Sequence, residues 1–287
     1  MTAILGRELR SYFQTPTGYI FMGLFLLMTG FFFTMGNLMN GSSYYTTFLG
    51  SILFLYLFAV PLLTMRLLSE ERRQRTDQLL LTSPITITAI VLGKFFAALF
   101  VFVLTLIVTV LYALVVGIFG DLAVWETVGA YIGFLLLGSS FIAVGVLISA
   151  MSENQVSAAF FTFFALLLIW FINLIKGVVP QDVLSGTIFA AALVVAIGLF
   201  FYFNTRSWIA AGGVGVVGTA AIVVLHLVNP AVFEGLIVET MDWFSLIDRY
   251  DSFTLGLLKL EGTVFYLSFT SVFLFVTVRI IEKRRWA

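Results

Sequence analysis

Eight apolar stretches, each close to the length of a membrane crossing, constrain this chain more than any other feature of its sequence. A helix needs about 20 apolar residues to cross the ~30 Å hydrocarbon core of a bilayer. Hydrophobic residues make up 61% of the 287 residues, well above the roughly 45–50% typical of soluble domains. We therefore predict an all-α polytopic membrane protein, with one transmembrane domain over residues 1–287. The predicted spans are about 18–39, 44–65, 95–117, 128–150, 155–175, 186–203, 208–228 and 263–281.

The stretch at 186–203 is the weakest of the eight, because it is short and begins at a Ser-Gly-Thr sequence. Two interpretations of residues 186–228 stay open. They form either two further spanning helices or a re-entrant pair that enters and leaves the membrane on one side.

The positions of Lys and Arg predict that both termini are cytoplasmic. With that orientation, 12 of the 15 basic residues lie in cytoplasmic segments, as the positive-inside rule requires. The outside connections hold only Lys176, Arg249 and Lys259, together with nine of the fifteen acids.

Residues 229–262 form an outside connection that is more than a simple loop. Acidic residues there alternate with apolar and aromatic ones at spacings of three and four. This pattern predicts one or two helices in the outer interface, with aromatic anchors. The segment is either a lid that fills space over the bundle or a gate at the extracellular mouth. Its apolar residues are Phe233, Leu236, Ile237, Met241, Trp243, Phe244, Ile247, Tyr250 and Phe253.

The sequence argues against catalysis and against metal binding by this chain. It has no cysteine and a single histidine, which excludes thiolate and His-rich metal sites. Candidates for an intramembrane hydrolase are limited to Ser139, Ser140 and His226, and no carboxylate is positioned in sequence to orient the histidine. The glycine run at 212–218 contains a literal dinucleotide-binding pattern, but it lies inside an apolar span, where small residues indicate close helix packing.

A secondary transporter is disfavoured, because no predicted span has a charged residue near its middle. Ion-coupled transporters keep ionisable groups inside their spans. Lys94, Lys176 and Arg279 lie close enough to span ends for their side chains to reach water. The energy for any transport cycle must then come from outside the bundle.

The connection between the second and third spans carries seven charged residues between Arg66 and Asp77, in a chain that is only 10% charged. A solvated loop whose arginines only set topology is the simplest interpretation. However, a topology signal needs only bases, and this segment mixes acids with bases. The mixture favours a structured element that contacts a soluble partner.

The same connection contains the signals of a short helix. Ser69 is a candidate N-cap, and Glu70 and Glu71 in the first turn match the helix dipole. Leucines follow at 79–81, and Pro84 is expected to end the element before the next span.

These residues resemble the coupling region of ATP-binding-cassette type-2 (ABC-2) permeases. The resemblance rests on the acidic-basic stretch, the Thr-x-x-Leu-Leu-Leu-Thr-x-Pro sequence and the Val-Leu-Gly-Lys entry to the next span. The N-terminal sequence GRELRSYFQTPTGYIF resembles the N-terminal interfacial helix of the gliding-motility-associated branch, so the resemblance implies an interfacial helix over residues 1–17. The C-terminal block, from FSLIDRYDSFTLGLL to FYLSFTSVFLFVTVRIIEKRRW, is similar to the C-terminal block of that branch. The resemblance covers residues 1 to about 175 and 229–287. Family members typically have six spans, so 186–228 looks like an inserted pair.

The resemblance implies a permease subunit of a bacterial inner-membrane ABC transporter, an exporter or a device that transmits force. It would pair with a second permease copy or a paralogue and with two cytoplasmic ATPase subunits. ATP and Mg would be bound by those subunits, because this chain has no phosphate-binding loop motif. Residues 66–88 would form the coupling region, and Met151–Gln155 a second, smaller contact. The residues implied to contact the ATPase are Glu70, Glu71, Arg72, Arg73, Arg75, Thr76, Asp77, Glu153, Asn154 and Gln155.

One alternative function, that of a scaffold rather than a transporter, stays open. The chain could be a membrane scaffold that anchors an ATPase or an auxiliary extracellular or membrane subunit without moving anything itself. Co-purification of an ATPase would fit both functions. Stimulation of the ATPase by a candidate substrate would favour transport.

Overall fold

A computed structural model of the chain describes residues 1–74 and 85–285, and every regular element in those residues is helical. The helices are α1 (Thr2–Gln14), α2 (Pro16–Phe33), α3 (Tyr45–Ser51), α4 (Tyr56–Thr64), α5 (Ser69–Arg73), α6 (Ile87–Phe119), α7 (Val124–Met151), α8 (Gln155–Lys176), α9 (Val183–Thr205), α10 (Trp208–Val228), α11 (Leu236–Phe244), α12 (Asp248–Thr254) and α13 (Leu260–Arg285). A π-helical turn, Thr34–Leu38, extends α2, and 3₁₀ turns lie at Leu53–Leu55 and Pro230–Phe233.

Seven helical segments in the described part of the chain are long and apolar enough to cross a membrane. They are Pro16–Leu38, Tyr45–Arg73, Ile87–Phe119, Val124–Met151, Gln155–Lys176, Val183–Phe203 and Leu260–Arg284. The remaining predicted span corresponds to α10, which is apolar and 21 residues long. The prediction of an all-α polytopic membrane protein is therefore confirmed.

Two continuous helices, α9 and α10, occupy residues 186–228, which the sequence predicts to be either two spans or a re-entrant pair. α9 has 23 residues and α10 has 21, so at 1.5 Å per residue each is longer than ~30 Å and can cross a bilayer alone. A re-entrant pair would require shorter helices, so the lengths favour two spans. Asp182 caps α9 by accepting a hydrogen bond from the Ser185 amide. Hydrogen bonds from the Ser185 hydroxyl and amide lower the pKa of Asp182.

Contacts divide the chain into two compact units. The first comprises Met1–Ile169 and Leu246–Ala287, and the second comprises Trp170–Ser245, so the boundary falls within α8. In the second unit α9 packs along α10. A Cβ on Gly218 would lie 2.5 Å from Val194, which supports close helix packing at this glycine. Gly213 and Gly215 have no such neighbour.

α7 is the central helix of the first unit and packs against α3, α4, α6, α12 and α13. Its buried side chains include Phe134 and Phe141, whose rings contact Tyr56 with centroids 4.7 and 5.4 Å apart. Small residues allow the neighbours to approach. A Cβ on Gly145 would overlap the side chain of Thr64, so only glycine permits α4 to lie this close to α7.

The prediction of aromatic interface anchors over residues 229–262 is wrong for Phe233, Tyr250 and Phe253, which are buried in protein. Tyr250 and Phe253 lie on α12 and pack against α7, where a Cβ on Gly133 would be 2.6 Å from Phe253 Cβ. Burial in the protein core satisfies an aromatic ring as well as a membrane interface does, and spacing alone does not distinguish the two.

We predict that cysteines at Ile4 and Gly93 will form a disulfide, because a Cβ on Gly93 would lie 3.1 Å from Ile4 Cβ. Bridged cysteines have Cβ atoms about 3.8 Å apart, so a small shift of α1 suffices. The chain has no native cysteine, so a band shift on a non-reducing gel reports the bond directly. The matched control pairs Gly93→Cys with Gly6→Cys, since a Cβ on Gly6 has no neighbour within 4 Å. Equal cross-linking of both pairs would show that α1 does not dock on α6 as described.

Candidate functional site

Four charged side chains from three helices form a closed ring of ion pairs, which we call the ion-pair ring: Arg7 and Glu8 of α1, Glu71 of α5 and Lys94 of α6. Lys94 Nζ lies 3.0 Å from Glu8 Oε1 and 2.9 Å from Glu71 Oε1. Arg7 Nη2 lies 2.9 Å from Glu8 Oε1 and 2.7 Å from Glu71 Oε1. Each carboxylate is therefore shared by both cations.

Lys94 is the most buried member of the ion-pair ring. Its side chain is 2% exposed, whereas those of Glu8 and Glu71 are 13% and 15% exposed and that of Arg7 is 54% exposed. Removing one partner of a buried ion pair typically costs about 3–5 kcal/mol, because the other charge is left uncompensated. The sequence-based expectation that the Lys94 side chain reaches water is therefore wrong, since two carboxylates meet it inside the protein.

Packing brings the ring members together. α1 lies along the start of α6, where Ile4 rests on Gly93. Because Gly93 has no side chain, α1 approaches closely enough for Glu8 to reach Lys94, the next residue of α6. Thr86 begins α6 as its N-cap, with its hydroxyl accepting a hydrogen bond from the Ala89 amide.

The start of α5 is held by α7 rather than by its own cap. The Ser149 hydroxyl accepts hydrogen bonds from the Leu68 amide at 3.1 Å and the Ser69 amide at 3.2 Å. The prediction that Ser69 is the N-cap is wrong. Leu68 occupies that position, and Ser69 is buried with its hydroxyl donating to the Met65 carbonyl. Glu70 and Glu71 do lie in the first turn, as predicted.

Two arginines satisfy carbonyl groups at the carboxyl end of α7. Arg72 Nη1 donates to the Met151 and Ser152 carbonyls at 3.0 and 3.2 Å, and Arg284 Nη1 donates to the Ala150 carbonyl at 2.6 Å. Cations at a helix carboxyl terminus also interact favourably with the helix dipole. α5 and α13 are thereby joined to the same end of α7.

A second set of contacts ties α1 to the chain just before α5. The Tyr12 hydroxyl donates to the Leu63 carbonyl at 2.7 Å. Burial, reinforced by the nearby Glu8 carboxylate, raises the pKa of Tyr12 far above its usual value, so the hydroxyl keeps the proton that it donates. Arg66 pairs with Glu70 at 2.8 Å and donates to the hydroxyls of Thr15 and Thr17.

The sequence-predicted contact residues separate into two groups. Glu70, Glu71 and Arg72 turn towards their own chain, in the contacts described above. The second group is on the surface: Arg73, Glu153 and Asn154 are exposed, with Gln155 half-buried at the start of α8. Arg75, Thr76 and Asp77, with the leucines at 79–81 and Pro84, lie outside the described residues.

The exposed group gathers where α5 meets the connection between α7 and α8. Glu153 is 85% exposed and lies 3.4 Å from Arg72 of α5. Asn154 begins α8, since its Oδ1 accepts a hydrogen bond from the Ser157 amide at 2.7 Å. The structure thus joins the two predicted contact segments through Arg72.

Arg7 and Glu8 were missed by reasoning from sequence, and Lys94 was misjudged. One signal was available: Lys94 lies eight residues into an apolar helix, two turns from its start. A lysine that far inside an apolar helix is expected to have an acidic partner. Glu8 of α1 is that partner.

The residues considered for catalysis have separate structural partners. The Ser139 and Ser140 hydroxyls donate to the Leu136 carbonyl, and Ser140 also meets the Thr270 hydroxyl at 3.2 Å. His226 Nδ1 lies 3.3 Å from the Thr187 hydroxyl. Within residues 1–74 and 85–285, no group of three His, Asp or Glu side chains is placed to hold a metal ion.

Comparison with known proteins identifies the family of the chain. Residues 37–182, just over half of the chain, match the family model described as ABC-2 family transporter protein. The matched region contains α5, α6, α7 and the Met151–Gln155 connection, and it ends one residue before α9. A search of curated proteins found no match. The chain belongs to the ABC-2 family of transporter proteins.

Proposed function

We propose that this permease component works with a partner ATPase, and that α5 and the connection between α7 and α8 receive force from it. The ATPase would bind and hydrolyse ATP with Mg, and the permease would convert its movement into export of a substrate or into mechanical transmission. Two ATPase subunits and a second permease copy or a paralogue would complete the complex.

One observation carries this proposal: α5 is fastened to spanning helices through Glu71 and Arg72, while its next residue, Arg73, is exposed. Glu71 is paired with Lys94 of α6, and Arg72 is bonded to the end of α7. A simple solvated loop would not need these inward contacts. An element that receives force needs both an outward surface and a firm inward attachment.

The outward surface consists of Arg73 and Gln74 of the α5 region with Glu153 and Asn154, which we call the exposed contact surface. All four are exposed. Both acidic and basic groups are present, so a partner groove of mixed charge would be complementary. Glu70 and Glu71 are better described as internal anchors than as contact residues.

A scaffold that only anchors an ATPase remains the second candidate. It would need the exposed contact surface but not the attachment of α5 to α6 and α7. The buried position of Lys94 therefore favours transmission into the bundle. Lys94 lies near one end of α6, so it does not restore the case for an ion-coupled transporter.

The proposed setting is a bacterial inner membrane with both termini in the cytoplasm. The distribution of Lys and Arg supports this orientation. The similarity of both chain ends to the gliding-motility-associated branch supports membership of that branch. α9 and α10, beyond the region matched by the family model, would then be an added pair that docks an auxiliary subunit or alters the substrate path.

The orientation can be tested with single cysteines at the two ends of α7, since the chain has no native cysteine. Asp121 and Asn154 are exposed and flank α7 at opposite ends. We expect Asp121→Cys to react with an impermeant thiol reagent in intact cells, and Asn154→Cys to react only after permeabilisation. The unsubstituted chain is the blank. Labelling of Asn154→Cys in intact cells would reverse the proposed orientation.

We expect Arg73→Glu to weaken binding of the ATPase that co-purifies with the unsubstituted chain, with the larger effect at low salt, because Arg73 is an exposed charge at the proposed interface. Arg279→Glu is the matched control, since Arg279 is also exposed but lies on α13. Binding is measured by pull-down at several salt concentrations. Reversal of Glu71 or Arg72 is unsuitable here, because it would also break the internal contacts of α5.

Two results would count against the proposal. Absence of any ATPase from the purified unsubstituted chain would contradict the partnership itself. Equal ATPase binding by Arg73→Glu and Arg279→Glu would show that the exposed contact surface is not the interface.

A further inference from the structure

We infer that Lys94 is the positioning residue through which a displacement of α5 becomes a displacement of α6. This inference rests on the proposed function, because it assumes that a partner moves α5. It assigns to one buried side chain the step between the exposed contact surface and α6.

The charges in the ion-pair ring are divided unequally among the helices. α1 contributes one cation and one anion, Arg7 and Glu8, so its share is neutral. α5 contributes only the anion Glu71, and α6 contributes only the cation Lys94. If α5 moved away from α6, a net negative and a net positive charge would separate inside a site where the Lys94 side chain is 2% exposed. That separation is unfavourable, so α5 and α6 move together.

The covalent route from α5 back into the membrane, through the residues that precede it, is interrupted. Before α5 come the turn at residues 65–68, α4 with Pro61 inside it, and the 3₁₀ turn Leu53–Leu55. Each break in a helix is a place where bending absorbs a displacement. A push on α5 would therefore be weakened along the segment that precedes it.

The route through Lys94 is continuous. α6 runs unbroken, with no proline, from Ile87 to Phe119. At 1.5 Å per residue, the part of α6 from Lys94 to Phe119 is about 39 Å long, enough to carry a displacement across the ~30 Å hydrocarbon core of a bilayer. Asp121, which is exposed, lies two residues beyond the far end of α6.

α1 strengthens this link without carrying it. Arg7 and Glu8 of α1 lie against the ion pair between Lys94 and Glu71. They limit the access of water to that ion pair, which strengthens the attraction between Lys94 and Glu71. Tyr12 and Ile4 fix α1 at two points, on the Leu63 carbonyl and on Gly93. α1 is thus expected to stay docked while α5 and α6 move.

The inference can be tested with a fluorophore on Asp121→Cys, in the complex reconstituted with its co-purifying ATPase. Addition of ATP should change the fluorescence, because α6 carries the movement to its far end. Lys94→Met, which replaces the ammonium with a flexible apolar side chain, should reduce the change roughly fivefold or more. Lys94→Arg keeps the charge and should retain most of it.

A double variant separates transmission from folding. Lys94→Met alone leaves Glu8 and Glu71 with one cation, whereas Glu71→Gln with Lys94→Met leaves the neutral pair Arg7 and Glu8. We expect the double variant to regain thermal stability and to bind the ATPase, but not to regain the ATP-dependent signal. A merely structural role for Lys94 would restore the signal together with stability.

The remaining outcomes distinguish failure of this inference from failure of the proposed function. If the double variant keeps the full signal, or if the unsubstituted chain binds the ATPase but shows no change at position 121, the inference is overturned while the proposed function stands. If no ATPase co-purifies with the unsubstituted chain, the proposed function fails and this inference fails with it.

Discussion

The structure of the charged end of this protein depends on one electrostatic requirement, which is compensation of the buried Lys94 ammonium. A charge removed from water is costly unless opposite charges and hydrogen-bond acceptors surround it. The two carboxylates that meet Lys94 lie on α1 and α5, 86 and 23 residues away in the sequence. Both helices must therefore dock on α6 before the charge is satisfied, and their positions are fixed by that need.

The inward contacts of α5 change how its charged sequence is understood. Of its charged residues, Glu70, Glu71 and Arg72 attach the helix to its own protein, which leaves Arg73 for a partner. Attachment at several points makes α5 part of the bundle rather than an appendage. The second exposed segment joins it through the contact of Arg72 with Glu153. A partner that seats on this surface would therefore act on α6 and α7 together.

Hydrophobic periodicity and length were enough to predict the spanning helices, because each helix satisfies its own backbone and needs no distant partner to be recognised. The short helix α5, which ends at Arg73, was also predictable from its two glutamates and its charge density. The group that caps the start of α5 was not predictable. Ser69 has the right residue type, but the capping hydroxyl comes from Ser149, 80 residues away. The burial of Lys94 was not predictable for the same reason, since Glu8 and Glu71 become its neighbours only in the folded chain. Tyr250 and Phe253 show a third limit: their spacing on a helix does not reveal whether protein or lipid covers them.

The central claim, that Lys94 and Glu71 are coupled in a buried ion pair, is tested most directly by a double-mutant cycle. Unfolding free energies would be measured for the unsubstituted chain, Lys94→Met, Glu71→Gln and the double variant. A buried pair predicts a coupling energy on the order of 0.5–3 kcal/mol, with the double variant less destabilised than the sum of the two single variants. Additive effects, with a coupling energy near zero, would contradict the account.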